Sequence, residues 1–285
     1  MPSAPNAVAE SAARAPSPAP RTAQATLLNI LGDIVFPAGA ATPTAAFLDA
    51  MGGLGFSEPA VRQAIARCAS SGWIDRERHG RSTRWRLTAR GTALVQEGIA
   101  GVENLADPHA GWDGRWRIAI ITISNEQRAV RDRVYRALRW DGFGNPLPSV
   151  WVSPHPQRHR RSRAVLDELG LADSTLSFVG VADGIGLDVA EIVRRGWDLA
   201  GLAELYAGLV DRFHAVRPAN DAEHFVALLH LDQELQHLLV TDPHIPSALI
   251  PAWPGRAAAA RLLALRRAWH APAVRHWRAV VERHG

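Results

Sequence analysis

The sequence predicts an α+β protein, and three observations along the chain lead to this expectation. Between Ser57 and Gly91 a short amphipathic helix precedes two β-prone runs rich in arginine. From about residue 115 to 181 strand patterns alternate with helix patterns, and from residue 187 onward only helix patterns remain. We therefore expect a disordered tail, a helix-and-hairpin domain, a mixed domain and a helical domain, at residues 1–25, 26–108, 109–183 and 184–285 respectively.

The first folded part begins with two short helices and a third that carries the most information. Apolar residues predict helices over 26–36, which Pro37 ends, and over 44–51. Ser57 is a suitable N-cap for the third helix, with Glu58 and Pro59 in its first turn. At 3.6 residues per turn this helix has one apolar and one polar face. The apolar face is Ala60, Val61, Ala64, Ile65 and Cys68, and the polar face is Arg62, Gln63, Ala66, Arg67 and Ser70.

A basic hairpin follows this helix. The runs 73–78 and 83–87 are β-prone, Gly80 can turn the chain between them, and Thr88 can cap another helix. Six arginines lie between Asp75 and Arg90, namely Arg76, Arg78, Arg81, Arg84, Arg86 and Arg90. The order helix, helix, third helix, hairpin, helix predicts a winged helix-turn-helix. The alternative is a generic helical domain whose basic hairpin is merely solvated.

This winged helix-turn-helix predicts a DNA-binding surface. Arginine can pair bidentately with guanine and an amide with adenine, so the polar face of the third helix is suited to base edges. Arginines around the hairpin tip can reach phosphates or the minor groove. The candidate contacts are Ser57, Arg62, Gln63 and Arg67 on the helix and Arg78, His79, Arg81 and Arg84 on the hairpin.

Composition excludes several other classes of protein. The formal net charge is only +4 and all 32 basic residues are arginine, so the basic surface is local. Without lysine the chain cannot be a P-loop NTPase, a protein kinase or a Schiff-base enzyme. The single Cys68 excludes a disulfide framework and fits a reducing cytoplasm. No apolar run approaches 18 residues and no signal-peptide core is seen, so we expect a cytoplasmic protein that does not enter the membrane.

The middle of the chain predicts a ferredoxin-like βαββαβ domain after a boundary at 107–111. The largely apolar run 115–123 fits a central strand. After it we expect an amphipathic helix over 125–140, a possible edge strand over 142–145, a strand over 149–153, a second helix over 157–169 and a last strand over 175–181. Beyond them we expect helices over 189–195, 199–216 and 221–240, and a pair over 256–283 broken near Pro272.

These features together resemble the PaaX family of bacterial transcriptional repressors of phenylacetic acid catabolism and related pathways. The resemblance spans about residues 26 to 256. The stretches that carry it are Gly32-Asp33, Ser57 to Arg67, Gly72-Trp73-Ile74, Leu87 to Gly91, Trp112 to Arg117, Gly142-Phe143-Gly144, Val150 to Pro154, Trp197-Asp198-Leu199, Asp242 to Pro246 and Trp253-Pro254-Gly255. It implies a dimeric repressor that binds a palindromic operator and is released by an aryl-acyl-CoA thioester, with no cofactor required.

We expect the ferredoxin-like domain and the helical domain that follows it to dimerise and to hold the effector. Aromatic rings there can stack on a planar acyl group, although most such rings fill cores, and the basic run 158–163 can hold CoA phosphates or be solvated. The candidates are Trp116, Trp151, His155, Arg158 and Trp197. Members of the family tend to carry His, an aromatic residue and Arg just before the Asp-Pro motif. This chain has Gln-Glu-Leu-Gln-His at 233–237, so contact of that segment with the effector would indicate a ligand other than phenylacetyl-CoA.

Two other functions compete with the repressor. The ferredoxin-like pattern resembles that of small CRISPR-associated endoribonucleases, which hold a metal through an aspartate at the end of the first strand. Here that strand runs out through Ser124 and Asn125, with no carboxylate before Glu126. A metal-responsive regulator is the other rival, because His230, Glu234 and His237 share a helix face. The competing interpretation of those three is an ordinary polar helix face.

Overall fold

The α+β class is confirmed by the computed structural model, which describes residues 22–36, 39–79, 82–106, 112–124 and 126–285. The strands are β1 (Thr42–Pro43), β2 (Ile74–His79), β3 (Ser82–Leu87), β4 (Trp116–Ile120), β5 (Gly144–Leu147), β6 (Val150–Ser153) and β7 (Leu176–Gly180). The helices are α1 (Ala23–Asn29), α2 (Thr44–Gly52), α3 (Glu58–Ser70), α4 (Ala89–Glu103), α5 (Arg128–Trp140), α6 (Arg160–Glu168), α7 (Val189–Gly196), α8 (Leu199–His214), α9 (Asp221–Thr241) and α10 (Gly255–Arg283). A π-helical turn, Ile30–Val35, extends α1, and a 3-10 turn spans Ala172–Ser174.

The chain folds into two compact units. We call residues 110–205 and 241–253 the central unit, and residues 19–109, 206–240 and 254–285 the terminal unit. One division between the units, at 109/110, lies next to the expected boundary at 108, whereas none lies at 183, because the helices beyond residue 184 are divided between the two units. The four-part division therefore stays a prediction, and its expected boundary at 107–111 lies outside the described residues. The expected tail at 1–25 is too long, since α1 begins at Ala23 and Thr22 caps it.

The terminal unit contains a three-stranded antiparallel sheet in the order β1-β3-β2. The hairpin β2–β3 was expected from the sequence, whereas β1 was missed because two residues carry no periodicity. Thr42 of β1 pairs with Trp85 of β3, and the Trp85 indole N–H donates to the hydroxyl of Thr44 at 2.9 Å. These bonds attach the start of α2 to the base of the hairpin.

The last helix, α10, corrects one expectation. Proline was expected to break the chain near Pro272, yet α10 runs continuously from Gly255 to Arg283 with this proline inside it. Trp269, Ala273 and Trp277, which flank the proline, are all buried. Apolar packing on both sides offsets the missing backbone hydrogen bond, which a local rule cannot anticipate.

The central unit contains a four-stranded antiparallel sheet in the order β5-β6-β4-β7, so β4 is interior as predicted. Along the chain the elements run strand, helix, strand, strand, helix, strand. Ala119, Ile121 and Trp151 pack on one side with Val134 and Leu138 of α5. On the other side a second core gathers Trp116, Val152, Val193 and Ile245. The sheet therefore separates two apolar clusters.

Gly91 fixes the junction between the hairpin and α4. The Thr88 hydroxyl accepts from the Gly91 N–H at 3.0 Å and donates to the carbonyl of Gly72 at 2.7 Å. A Cβ added to Gly91 would lie 1.9 Å from the carbonyl oxygen of Trp73, closer than any real contact. Only glycine allows the first turn of α4 to lie this close to the backbone of Trp73, directly before β2.

Replacing Gly91 by alanine should therefore destabilise the protein by about 2–4 kcal/mol, because backbone must move to make room. Gly208→Ala is the matched control. It lies inside α8 with no atom within 4 Å of the added carbon, and it should stabilise the protein by about 0.5–1 kcal/mol. Urea unfolding followed by circular dichroism measures both. Equal stabilities of the two variants would contradict the close approach seen here.

Candidate DNA-binding surface and effector region

Helix α3 begins as the sequence predicts, but without the expected side-chain cap. Ser57 is extended, with φ −69° and ψ 149°, and its side chain accepts no hydrogen bond from the first helical turn. Capping hydroxyls usually bond the N–H of the second or third helical residue. Here the second is Pro59, which has no N–H to donate. The Ser57 side chain is therefore exposed at the helix start without a capping role.

The two predicted faces of α3 are confirmed. Val61, Ala64, Ile65 and Cys68 are buried, while Ala60 is only partly so. Burial raises the pKa of the Cys68 thiol to about 11, so this sulfur is protonated and inert at neutral pH. The predicted polar face is exposed throughout, at Arg62, Gln63, Ala66, Arg67 and Ser70.

The exposed face of α3 presents two guanidinium groups and an amide one to five residues apart. Arg62 forms an ion pair with Glu58, whose Oε1 lies 2.7 Å from the arginine Nε. Both side chains are more than half exposed, so this pair is weak and easily exchanged for another acceptor. Gln63 and Arg67 lie on the same exposed surface. This side of α3 can therefore offer hydrogen-bond donors to a large acidic or hydrogen-bonding partner.

The hairpin register separates arginines that the sequence groups together. Arg78 lies opposite Thr83, whereas Arg84 lies opposite Glu77, so Arg78 and Arg84 are on opposite faces of the hairpin. Arg78 is exposed. Arg84 is only partly exposed, and its Nε is buried without a hydrogen-bond partner among the described residues. The expected single cluster at the hairpin tip is therefore wrong for this pair.

The remaining hairpin candidates are His79 and Arg81. His79 is the last residue of β2 and pairs with Ser82, but its side chain and the whole of Arg81 lie outside the described residues. Near the base of the hairpin, Arg86 forms an ion pair with Glu77 at 2.6 Å. Arg78 is therefore the predicted hairpin contact that the structure places most clearly at an exposed position.

The candidate effector residues divide between the two sides of the central sheet. The Trp116 ring stacks on that of Trp197 with centroids 6.2 Å apart, and the Trp112 ring meets Trp116 edge-on at 4.9 Å. Trp151 lies on the opposite side, 4.6 Å from the ring of Tyr135. The expectation that Trp151 shares a site with Trp116 is therefore wrong, because strand residues of opposite parity face opposite ways.

Three of these indoles have a common property. The Nε1 groups of Trp116, Trp151 and Trp197 are buried and have no hydrogen-bond acceptor among the described residues. A buried donor without an acceptor typically costs about 1–3 kcal/mol. Two of the three, on Trp116 and Trp197, belong to one cluster, where a ligand oxygen could accept from them.

The remaining two candidates, His155 and Arg158, lie close to the Asp-Pro segment. The His155 Nε2 lies 2.8 Å from the carbonyl oxygen of His244, which fits a neutral ring that donates this bond. Burial, and then the charge of Arg158, lower the pKa of His155 to about 4. The guanidinium of Arg158 interacts electrostatically with Asp141 and Asp242. The Asp141 carboxylate also accepts from the backbone N–H and the hydroxyl of Ser162, both at 2.7 Å.

Three family profiles match consecutive parts of the chain. The one described as PaaX-like protein matches residues 22–91, the PaaX protein central Cas2-like domain matches 109–190, and the PaaX-like protein C-terminal domain matches 197–279. The chain belongs to the PaaX family. The resemblance drawn from the sequence is thereby confirmed.

A curated relative and a solved structure extend this result. The transcriptional repressor PaaX of Escherichia coli is 29% identical over 218 residues, which is 72% of this chain and 67% of that protein. The uncharacterized protein Rv0674 of Mycobacterium tuberculosis shares the fold, with a TM-score of 0.57 and 20% identity over 91% of this chain and 98% of that one.

Several PaaX-type motifs meet in the central unit. A Cβ added to Gly144 would lie 2.6 Å from the ring of Trp197 and 2.7 Å from the carbonyl oxygen of Gly196. A Cβ on Gly142 would lie 3.2 Å from the carbonyl oxygen of Pro243. Gly142 and Gly144 belong to a motif that the sequence shows, but no role in the site is predicted for them from the sequence. Their spacing from Trp197 and Pro243 along the chain is too long for any local signal to reveal this contact.

The His/Glu face of α9 is not arranged as a metal site. Glu234 is almost fully buried, and its carboxylate pairs with Arg212 at 2.7 Å. Across the part of the chain that the structure describes, no group of three or more His, Cys, Asp or Glu side chains is placed to hold a metal ion. The weak candidate metal site combined His230 and His237 with the Glu234 carboxylate. Because that carboxylate pairs with Arg212, the site lacks the carboxylate that it required. Within the same part of the chain, no helix has the length and apolarity needed to cross a membrane.

Because the folded-state pKa of His155 is about 4, well below the usual 6.5, its neutral form stabilises the fold. Between pH 6.5 and pH 4 the imidazole of His155 takes up a proton in the unfolded chain but not in the folded one. The contribution of neutral His155 to the free energy of unfolding is therefore fully present above about pH 6.5 and is lost as the pH falls towards 4. We expect wild type to lose more stability than His155→Gln over this interval, as measured by urea unfolding at each pH. Parallel losses in the two proteins would show that His155 is not held neutral.

Proposed function

We propose that this chain is a transcriptional repressor that binds double-stranded DNA through α3 and the β2–β3 hairpin. One observation carries the proposal, namely that the outer face of α3 exposes Arg62, Gln63 and Arg67 beside a hairpin with an exposed Arg78. Sequence similarity to a named transcriptional repressor supports it. The same similarity supports the expectation that the chain is a regulator rather than an enzyme. A DNA-binding regulator acts where the chromosome is, so we place it in the cytoplasm.

The element order supports a finer assignment of the two folds. Helices α1 and α2, the exposed helix α3, the hairpin and α4 follow the order of a winged helix-turn-helix, with α3 as the recognition helix. The strand order β5-β6-β4-β7 with α5 and α6 on one side is that of a ferredoxin-like sandwich. In this assignment α3 enters the major groove of the DNA, and the hairpin lies along the phosphate backbone of the DNA or in its minor groove.

We further propose an aryl-acyl-CoA thioester as the effector of a homodimer that represses a phenylacetate-type catabolic operon. The stacked rings of Trp116 and Trp197 can flank a planar acyl group, and their unpartnered indole N–H groups can donate to its carbonyl oxygen. Arg160 and Arg163 at the exposed start of α6 can meet the CoA phosphates. Such a ligand releases DNA if it binds the DNA-incompetent arrangement more tightly.

A fluorescence-anisotropy titration at fixed salt tests the function. The probe is the promoter duplex beside the gene for this chain, titrated with the protein alone and then with phenylacetyl-CoA, free CoA or phenylacetate. We expect tight binding that only the thioester reverses. Tight binding that the thioester does not change would retain the repressor and refute this effector. Binding no tighter than to unrelated DNA would refute the repressor itself.

Single substitutions test the assigned roles. Arg62→Ala and Arg67→Ala should each cost about 1–3 kcal/mol in promoter affinity and relax specificity at one base pair. Arg78→Ala should weaken promoter and unrelated DNA alike and lower the salt slope by about one. Arg128→Ala, which removes an exposed guanidinium at the start of α5, is the control for net charge. A uniform loss from all of the first three would refute the division between base reading and phosphate binding.

A further inference from the structure

Positive charge is concentrated in the central unit where α5 ends and α6 begins. Residues 136–163 carry six arginines, and their single acidic residue is Asp141. This segment therefore has a formal net charge of +5, whereas the whole chain has only +4. Asp141 is buried, and its carboxylate accepts from the N–H and the hydroxyl of Ser162 in α6. Across this segment, all of which the structure describes, no acidic side chain is exposed at the surface.

Four exposed arginines form what we call the basic corner. They are Arg136 and Arg139 of α5 and Arg160 and Arg161 of α6. The ion pairs of these two helices are Arg133 with Glu168 and Arg163 with Asp167. No member of the basic corner therefore has a carboxylate partner among the described residues. Other exposed arginines are paired with acids, as Arg275 is with Asp221, so the corner differs from an ordinary mixed surface.

An exposed tryptophan orients part of the basic corner. The Trp140 ring is 44% exposed, and the central guanidinium carbon of Arg161 lies 4.1 Å from its centroid. Arg136 precedes Trp140 by one turn on the same side of α5. Stacking uses the flat face of a guanidinium and leaves the N–H groups at its edge available as donors. The corner therefore presents oriented donors to an anion from outside the chain.

From this arrangement we infer that the basic corner is a second DNA-binding surface, which contacts the phosphate backbone of duplex DNA without reading sequence. Like charges held together repel one another, and a polyanion relieves this repulsion. Duplex DNA is such a polyanion, with one negative charge about every 1.7 Å along its axis. Phosphate contacts carry no sequence information, and α5 and α6 contain no Asn or Gln that could pair with adenine.

The inference rests on the proposed function. A chain held on DNA through α3 meets further phosphates at a raised effective concentration, so even a weak second contact adds to the affinity. Arg160 was assigned above to CoA phosphates, and the tests below leave it unchanged. They therefore probe the corner through Arg136 and Arg161, which have no part in the proposed effector site.

The salt dependence of DNA binding provides the first test, by anisotropy with the promoter duplex and an unrelated duplex. The double variant Arg136→Gln/Arg161→Gln should lower the salt slope by about two and weaken binding to both duplexes about tenfold at low salt. Arg128→Gln/Arg261→Gln is the matched control, because it removes two exposed charges outside the corner, on α5 and α10, and it should keep the wild-type slope. A wild-type slope in the corner variant, or an equal loss in the control, would overturn the inference.

A tethered cleavage reagent gives a second test that removes no charge. The single Cys68 is buried with its thiol pKa raised to about 11, so a thiol-directed iron–EDTA reagent should attach only to an added cysteine. Ala164→Cys places this reagent at an exposed position one turn after the corner arginines of α6. With ascorbate and peroxide we expect cleavage of the promoter duplex. Ala190→Cys on α7, which packs on the other side of the central sheet, should cut little. Equal cleavage from both positions, or none from Ala164→Cys, would contradict DNA at the corner.

The ratio of promoter to unrelated affinity separates this inference from the proposed function. If both hold, the corner variant should bind more weakly than wild type and keep the wild-type ratio. A wild type that binds both duplexes equally, together with a corner variant that binds them more weakly, would refute the repressor and leave the corner standing. A specific repressor unaffected by Arg136→Gln/Arg161→Gln would refute the corner alone. A reduced ratio in the corner variant would indicate base reading and overturn a contact that ignores sequence.

Discussion

A largely buried arginine between two carboxylates is the interaction on which the terminal unit depends. Arg266 of α10 bonds Asp232 of α9 at 2.8 Å and also bonds the carboxylate of Asp33 in the π-helical turn. Burial and the charge of Asp33 raise the pKa of Asp232 well above its usual value, so the two acids are tolerated only with Arg266 between them. Breaking such a buried network by removing one partner typically costs about 3–5 kcal/mol. The His270 ring also bonds the carbonyl of Asp33, at 2.7 Å, so α10 holds this turn through two side chains.

As a consequence, the elements proposed to bind DNA, α3 and the hairpin, are supported by helices from the C-terminal end of the chain. Rings of Phe47 in α2 and Trp277 in α10 lie 5.5 Å apart. His284 and Arg283 hydrogen-bond to Asp49 and lower the pKa of that carboxylate. Helix α3 and the hairpin therefore do not stand on a separate N-terminal domain, because C-terminal helices form part of the same compact unit. A change in α9 or α10 reaches them directly.

Local signals were enough for most of the helices and strands, with the two-residue β1 as an exception, and for one face of the candidate site. Long-range packing accounts for the other differences. The faces of α3 follow from 3.6 residues per turn, so Arg62 and Arg67 could be placed from sequence alone. The separation of Arg78 from Arg84 depends on strand register, and that of Trp116 from Trp151 on the parity of two paired strands. The prediction of a helix break near Pro272 was wrong for the opposite reason, since buried neighbours in α10 override a valid local rule.

The departure of this chain from the family pattern at 233–237 has a structural explanation of its own. Glu234 pairs with Arg212 of α8, and a Cβ added to Gly98 of α4 would lie 3.4 Å from the amide nitrogen of Gln236. These residues therefore hold α9 against α8 and against the helix that follows the hairpin. A sequence change here alters how the C-terminal helices pack against α4, the helix that follows the hairpin. Under the proposed function, differences in effector chemistry are therefore better sought around the proposed effector residues Trp116 and Trp197 than at 233–237.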